Sequence, residues 1–260
     1  MKNNEAVLEL KNVNTVVNRN TPNETKILRD LNLVVNQGDF ITVVGSNGAG
    51  KSTLFNTIAG IIEPDSGALF HEGQEITHLS VEKRTQFISR VFQDPKMGTS
   101  PRMTVAENLL LANKRGKKRG LRFRRLAAHR PELKKMTDLM GNSLTKKLDT
   151  PTEHLSGGQR QTLSFLMATL NHPDILLLDE HTAALDPKAS KDLLAKTNQI
   201  VTERKLTCLM ITHSMEDALK YGNRLVALHD GQIVRDVANE EKKNLTLNDL
   251  MASFVEEGDI

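Results

Sequence analysis

Apolar and polar residues alternate along this chain with a period that changes from stretch to stretch. Phe40 to Val44 is short, β-branched and almost wholly apolar, which predicts a strand buried on both faces and ending at Gly45. From Gly50 to Ala59 the spacing is helical, with Gly60 as a natural stop, and Pro64, Asp65, Ser66 and Gly67 then make a turn before more strand-like sequence. Ile175 to Leu178 and Leu206 to Thr212 read as two further buried strands, and Leu225 to Leu228 as another that runs into a hairpin turn at Asp230-Gly231. Strands alternating with amphipathic helical stretches predict an α/β fold on a largely parallel sheet.

Between about Asp94 and Glu153 helical stretches replace the β-branched runs, which predicts an inserted helical subdomain. Thr104 and Glu107 have the spacing of a capping box, opening a helix that runs to about Asn113. Pro131 suits the first turn of a second helix, and Thr150-Pro151 should break the chain before Leu155. No internal repeat is visible.

Composition narrows the class. The 260 residues are 38% hydrophobic and 26% charged, enough apolar sequence for one or two soluble domains with a substantial core. No window approaches the roughly 18 apolar residues that cross a bilayer, and the start, MKNNEAVLEL, lacks the basic and apolar segments of an export signal. The single cysteine, Cys208, can form neither an internal disulfide nor a cysteine metal cluster, so the expected compartment is the cytoplasm. Net charge is only +3, yet Lys114, Arg115, Lys117, Lys118, Arg119, Arg122, Arg124 and Arg125 put eight cations and no acid into twelve residues. Such a run suits nucleic acid, anionic lipid or an acidic partner, or is simply a solvated segment. With no Trp and one Tyr, Tyr221, the chain lacks stacking platforms, and nucleic acid is not an expected partner.

The candidate chemistry begins where the first buried strand ends. Gly45, Ser46, Asn47, Gly48, Ala49, Gly50, Lys51 and Ser52, followed by Thr53, fit a phosphate-binding loop, whose glycines let backbone N–H groups turn inward around a nucleotide's phosphates. The helix that starts there adds the positive end of its dipole. Lys51 would neutralise the β- and γ-phosphates, and Ser52 would offer a hydroxyl to Mg²⁺. The strand Ile175 to Leu178 runs into Asp179 and Glu180. Beside such a loop, Asp179 is expected in contact with Mg²⁺ or one ligand removed from it, and Glu180 is expected to polarise an attacking water. Adjacent positions of an extended chain point to opposite sides, which gives the two carboxylates different tasks.

His213 follows another apolar strand and precedes Ser214, a helix cap with Asp217 three residues on. A histidine at a strand end is commonly a hydrogen-bonded structural residue; in this company it is a candidate to contact the γ-phosphate, since parallel sheets bind ligands beyond the carboxyl ends of their strands. Gln93, after the apolar stretch Phe87 to Phe92, would mean nothing alone.

Leu155-Ser156-Gly157-Gly158-Gln159 decides the class, beginning 20 residues before Ile175. Here the chain resembles the ATP-binding cassette, or ABC, ATPase family, whose signature is this LSGGQ string. A serine and two glycines at a helix start present a hydroxyl and N–H groups to an anion with little obstruction. The resemblance covers nearly the whole chain in the expected order: phosphate loop, Gln93, signature, Asp179-Glu180, the Ala184-Leu185-Asp186 loop, then His213. It implies a P-loop NTPase (RecA-like) core with an N-terminal antiparallel β region, the core formed by 1–93 and 166–260 and the helical subdomain by 94–165. It implies further that the signature of one subunit closes over ATP held by the loop of the other. Gln93 then senses the γ-phosphate and metal, and Asp186 communicates across the dimer.

Two departures stand out. Where the family has an aromatic residue to stack on adenine, the segment Val13-Asn14-Thr15-Val16-Val17 offers only Val16 or Val17. Where most relatives have proline after the glutamate, this chain has His181, a proton or hydrogen-bonding participant or else a tolerated substitution. That variant string, with Phe92-Gln93-Asp94-Pro95-Lys96-Met97-Gly98-Thr99, is similar to ATPase subunits of bacterial uptake systems for aromatic amino acids such as tryptophan or tyrosine. The resemblance implies an ATP- and Mg²⁺-dependent ATPase paired with a second such subunit, as a homodimer. The pair would sit on the cytoplasmic face of a membrane permease that a substrate-binding protein supplies. The alternative is a soluble ABC ATPase acting on ribosomes, nucleic acid or a cytosolic partner.

Overall fold

The computed structural model describes residues 5–116 and 126–255. Of the basic run, Lys114 and Arg115 are described; Lys117, Lys118, Arg119, Arg122, Arg124 and Arg125 lie outside the described residues. Arg115 is not a free surface charge, because its guanidinium donates to Ser89 Oγ at 2.5 Å.

Two long strands open the fold, β1 (Ala6–Val17) and β2 (Thr25–Asn36), paired antiparallel from Ala6 opposite Asn36 to Val17 opposite Thr25. Next comes β3 (Phe40–Gly45), buried at all five positions from Phe40 to Val44, as a strand covered on both faces must be. The glycine loop leads into α1 (Lys51–Ala59), which ends at Gly60 with φ 79°, the left-handed C-cap that glycine adopts without steric cost. Then follow β4 (Ser66–His71), β5 (Gln74–Glu75), α2 (Val81–Arg84) and β6 (Ile88–Val91). Arg84 is fully buried and, among the described residues, forms no salt bridge, though the Glu63 carboxylate acts on it at longer range. It donates instead to the carbonyls of Thr57 and Ile58 in the last turn of α1 and to those of Ile76, Thr77 and Leu79, satisfying backbone acceptors that the helix end leaves open.

The capping box forms as expected: Glu107 N–H donates to Thr104 Oγ1 at 3.2 Å, and Thr104 N–H donates to Glu107 Oε2 at 2.9 Å, opening α3 (Val105–Ala112). Next are α4 (Leu126–Asp138), α5 (Asn142–Thr145), a single 3₁₀ turn (Thr152–His154) and α6 (Gly157–Thr169). Pro131 does not open a helix. It lies inside α4, which already runs from Leu126, so the ring removes one N–H from the interior of that helix. The 165/166 division also falls inside α6.

The remaining elements are β7 (Ile175–Asp179), α7 (Pro187–Glu203), β8 (Cys208–Ile211), α8 (Met215–Lys220), β9 (Arg224–His229), β10 (Gln232–Ala238), α9 (Asn239–Asn244) and α10 (Leu247–Val255). Two sheets result. One is antiparallel in the order β2-β1-β4-β5; the other runs β10-β9-β3-β8-β7-β6, with β9 through β6 parallel and β10 returning antiparallel after the Asp230-Gly231 turn.

The period of two along β7 explains the layers. Ile175 and Leu177 join Leu54, Phe55 and Ile58 of α1 and the inner residues of the antiparallel sheet in one core. Leu176 and Leu178 join Leu109, Leu163, Leu166 and Leu194 of α3, α6 and α7 in another. The parallel sheet is therefore buried on both sides, at roughly 1.5–3 kcal/mol for each fully buried large apolar side chain. Among the described residues no helix is long and apolar enough to cross a membrane.

Candidate functional site

The site begins at Gly45, where β3 passes so close to β9 that any side chain would strike the Leu228 carbonyl. Gly48 and Gly50 then take left-handed φ values of 87° and 101°, which cost glycine nothing and fold the loop back on itself. Gly50 occupies the N-cap of α1 and brings no capping oxygen, and the first bond into the helix is Leu54 N–H to Gly50 O at 2.8 Å. The start of α1 is thus an uncapped, positive helix end of the kind that binds phosphate. Ser46, Asn47 and Ser52 are exposed, and Ala49 is buried beneath the loop.

Lys51 is the buried charge of this loop. Its Nζ donates to the carbonyls of Gly45 (2.7 Å) and Ser46 (2.8 Å). Burial holds its pKa below that of an ordinary lysine, and the nearby Glu180 carboxylate pulls it partly back up. Among the described residues these carbonyl oxygens are its hydrogen-bond partners, and a desolvated ammonium so held gains most from an anion brought into the loop.

Beside this loop, β7 ends at Asp179, whose Oδ2 lies 2.5 Å from Arg90 Nη2. Glu180 does not continue the strand. It adopts φ 45°, a left-handed conformation costing a non-glycine residue about 1–2 kcal/mol, while its N–H donates to Ile211 O at 3.2 Å. The expected alternation along an extended chain is therefore replaced by a sharp turn of the backbone at the glutamate. That turn sets Glu180 Oε2 2.6 Å from His213 Nε2, the glutamate side chain one-tenth exposed and the histidine half exposed. Ser214 beside it caps α8, accepting from Asp217 N–H at 3.1 Å. Gln93 lies exposed just beyond β6, and the half-buried Val16 and Val17 end β1.

A second group lies apart. Ser156 is the N-cap of α6, its Oγ accepting from Gln159 N–H at 3.3 Å while Gln159 Oε1 accepts from Ser156 N–H (3.2 Å) and Lys147 Nζ (3.0 Å). Gly157 has open space where a side chain would stand. Asp186 caps α7 through Ala189 N–H at 3.0 Å, so its carboxylate is turned toward its own helix. Ser156, Gly157, Gly158, Gln159 and Asp186 line a cavity of about 560 Å³. The expected site residues thus form two groups, one around the glycine loop and one around the start of α6.

Three residues escaped the sequence reading. Arg90 contacts Asp179 and Asn56, and Gln161 of α6 donates to the Phe92 carbonyl at 2.9 Å just before Gln93. An arginine inside the strand Ile88–Val91 was the available signal, since a charge there demands a partner.

His181 lines the same small cavity as Glu180 and His213 but makes its own contacts with other residues. Fully buried, it stacks on Phe165 at 6.3 Å and places Nε2 3.2 Å from Thr197 Oγ1, and burial pushes its pKa down to about 4. The unfolded chain takes up this proton near 6.5 and the folded chain does not. Stability should therefore fall as pH drops from 6.5 toward 4, by up to about 3 kcal/mol. Thermal unfolding across that range should show the loss, and His181→Gln should flatten it; an unchanged acid limb in the variant would refute the assignment.

A buried parallel strand, a glycine loop, an uncapped helix and an acid-ended strand one place removed in the same sheet define a P-loop nucleotide hydrolase. The sequence model of the family described as ABC transporter matches residues 28–183. The chain belongs to that family and is an ATPase. It is 44% identical over 249 residues to a tyrosine transport ATP-binding protein of Clostridioides difficile, covering 95% of this chain and 98% of the relative. It is also 32% identical over 254 residues to the spermidine/putrescine import ATP-binding protein PotA of Haemophilus influenzae, covering 98% of this chain but 64% of the relative. Among solved structures, the dimeric ATP-binding cassette MJ0796 bound to ADP and Pi superposes with a TM-score of 0.74 at 26% identity, covering 89% of this chain and 98% of that one.

Proposed function

We propose that this chain is the ATP-hydrolysing subunit of an amino-acid importer of the aromatic type, working as a pair of identical copies on the cytoplasmic face of a separate permease. One observation carries the pairing: besides the uncapped end of α1, the chain has a second helix start with open space at its glycine, the Ser156-capped end of α6, which lines a cavity of its own. A single nucleotide held by the loop from Gly45 to Thr53 is completed by Ser156, Gly157, Gly158 and Gln159 of the other copy. Support for the importer reading comes from the two relatives, whose names specify tyrosine transport and spermidine/putrescine import.

Lys51 and the loop amides hold the triphosphate of ATP. The oxygen donors Ser52, Asp179 and Gln93 form a set that suits Mg²⁺, a hard cation. When bound, Mg²⁺ would supply positive charge that offsets the negative charge of the triphosphate. Glu180 takes the proton of the attacking water, and His213, 2.6 Å away, fixes that carboxylate and reaches toward the γ-phosphate. Asp186 meets the other copy beside the same cavity. The helical unit 94–165 carries closure of the pair to the permease, and a substrate-binding protein acts only through that permease.

Purification of the tagged chain from its native cells in mild detergent should bring down a stoichiometric polytopic membrane protein, read by mass spectrometry. Ribosomal proteins or a purely soluble partner would overturn the importer reading.

A further inference from the structure

We propose that Arg90 is a positioning residue that holds Asp179 in place and, through its permanent charge, raises the Mg²⁺ concentration the nucleotide site requires. The inference rests on the assignment of Asp179 to the metal site made above.

Arg90 spans three elements. From β6 its Nη1 donates to Asn56 Oδ1 of α1 at 2.7 Å, and its Nη2 donates to Asp179 Oδ2 of β7 at 2.5 Å. The guanidinium lies over the Phe92 ring, 4.9 Å from its centroid, and the side chain is only one-tenth exposed. Asn56 stands one helical turn beyond Ser52, on the same face of α1, so the guanidinium sits one turn behind the hydroxyl expected to face the metal.

Three consequences follow from this placement. Asp179 Oδ2 is committed to Arg90, which leaves Oδ1 for the nucleotide side. Arginine does not lose its proton at any accessible pH, so the positive charge stays beside the carboxylate. In a poorly solvated setting that charge opposes a second cation drawn to the same carboxylate, until the negative charge of a triphosphate offsets it. Buried Nε of Arg90 has no hydrogen-bond partner among the described residues, a desolvation cost that an apolar side chain at this position would not carry. The site thus admits metal together with nucleotide rather than ahead of it.

The test follows binding of a fluorescent ATP analogue to the purified full chain, at fixed subsaturating analogue, as Mg²⁺ is titrated. R90Q removes the charge; R90M also does so while keeping the apolar contact with Phe92; R90K keeps the charge. The Mg²⁺ midpoint should fall about 3- to 10-fold in R90Q and R90M and stay near wild type in R90K. Analogue affinity in EDTA should stay near wild type in R90K and should not rise in R90Q or R90M, because the charge that opposes Mg²⁺ also attracts the triphosphate. A midpoint equal to or above wild type in the uncharged variants, or the same fall in R90K, would overturn the proposal. Lys51→Ala and Asp179→Asn in the same assay keep the two claims separate: normal binding in the first, or an unmoved Mg²⁺ midpoint in the second, would sink the underlying site assignment whatever the Arg90 variants show.

Discussion

A Glu180→Gln protein should bind ATP, form a stable nucleotide-locked pair and hydrolyse it some 10²–10⁴ times more slowly than wild type. Glutamine matches glutamate in size, keeps an oxygen that can accept from His213, and bears the same left-handed backbone penalty, so the local geometry at φ 45° should survive. What disappears is the carboxylate able to take a proton from water. Because the chain's second group, around the start of α6, is expected to close on a partner's nucleotide, blocking hydrolysis should lengthen the closed state rather than prevent it. Single-turnover hydrolysis and size-exclusion chromatography with ATP check both halves. Turnover at the wild-type rate would remove Glu180 from its role, and a strictly monomeric variant with bound ATP would contradict the shared site.

The second large effect is expected at Lys51. Its ammonium is buried and, among the described residues, bonded only to the Gly45 and Ser46 carbonyls, so Lys51→Ala removes the loop's own cation. Truncating one member of a buried charge pair costs about 2–5 kcal/mol, so nucleotide affinity should drop roughly 30- to 5000-fold. The nucleotide-free protein should lose little, since a desolvated charge with no acid bonded to it contributes little to folding. Melting curves therefore separate the two states: wild type should gain stability with ATP according to the ratio of ligand to Kd, and the variant should show almost no gain at the same concentration. A normal ATP-induced shift in Lys51→Ala would contradict the loop assignment.

Much of this architecture was legible because its determinants are local. Gly50 and Gly60 bound α1 through backbone conformations that glycine tolerates best. Thr104 with Glu107, and Ser214 with Asp217, cap their helices through contacts three residues apart. Apolar runs such as Ile175 to Leu178 announce strands buried on both faces. Pro131 was misleading for the same local reason: proline favours a helix's first turn, and nothing nearby in sequence shows that α4 already runs from Leu126. His181 could be read two ways until Phe165 and Thr197, 16 residues away on either side, were seen to enclose it.

The glycine loop, its helix, the acid-ended strand and the signature string could be read from neighbouring residues, because each depends on backbone conformation and on chemistry within a few positions. Pairing across distance could not. Asp179 meets Arg90, 89 residues away, and Arg90 meets Asn56, 34 residues away, only because β6 and β7 lie side by side behind α1. Glu180 reaches His213 because the backbone leaves β7 in a left-handed turn beside the end of β8, a choice no local rule predicts for glutamate. Sequence pattern sets which side chains are available at a strand's end; which of them touch depends on strand order and register, which arise only when the whole sheet is assembled.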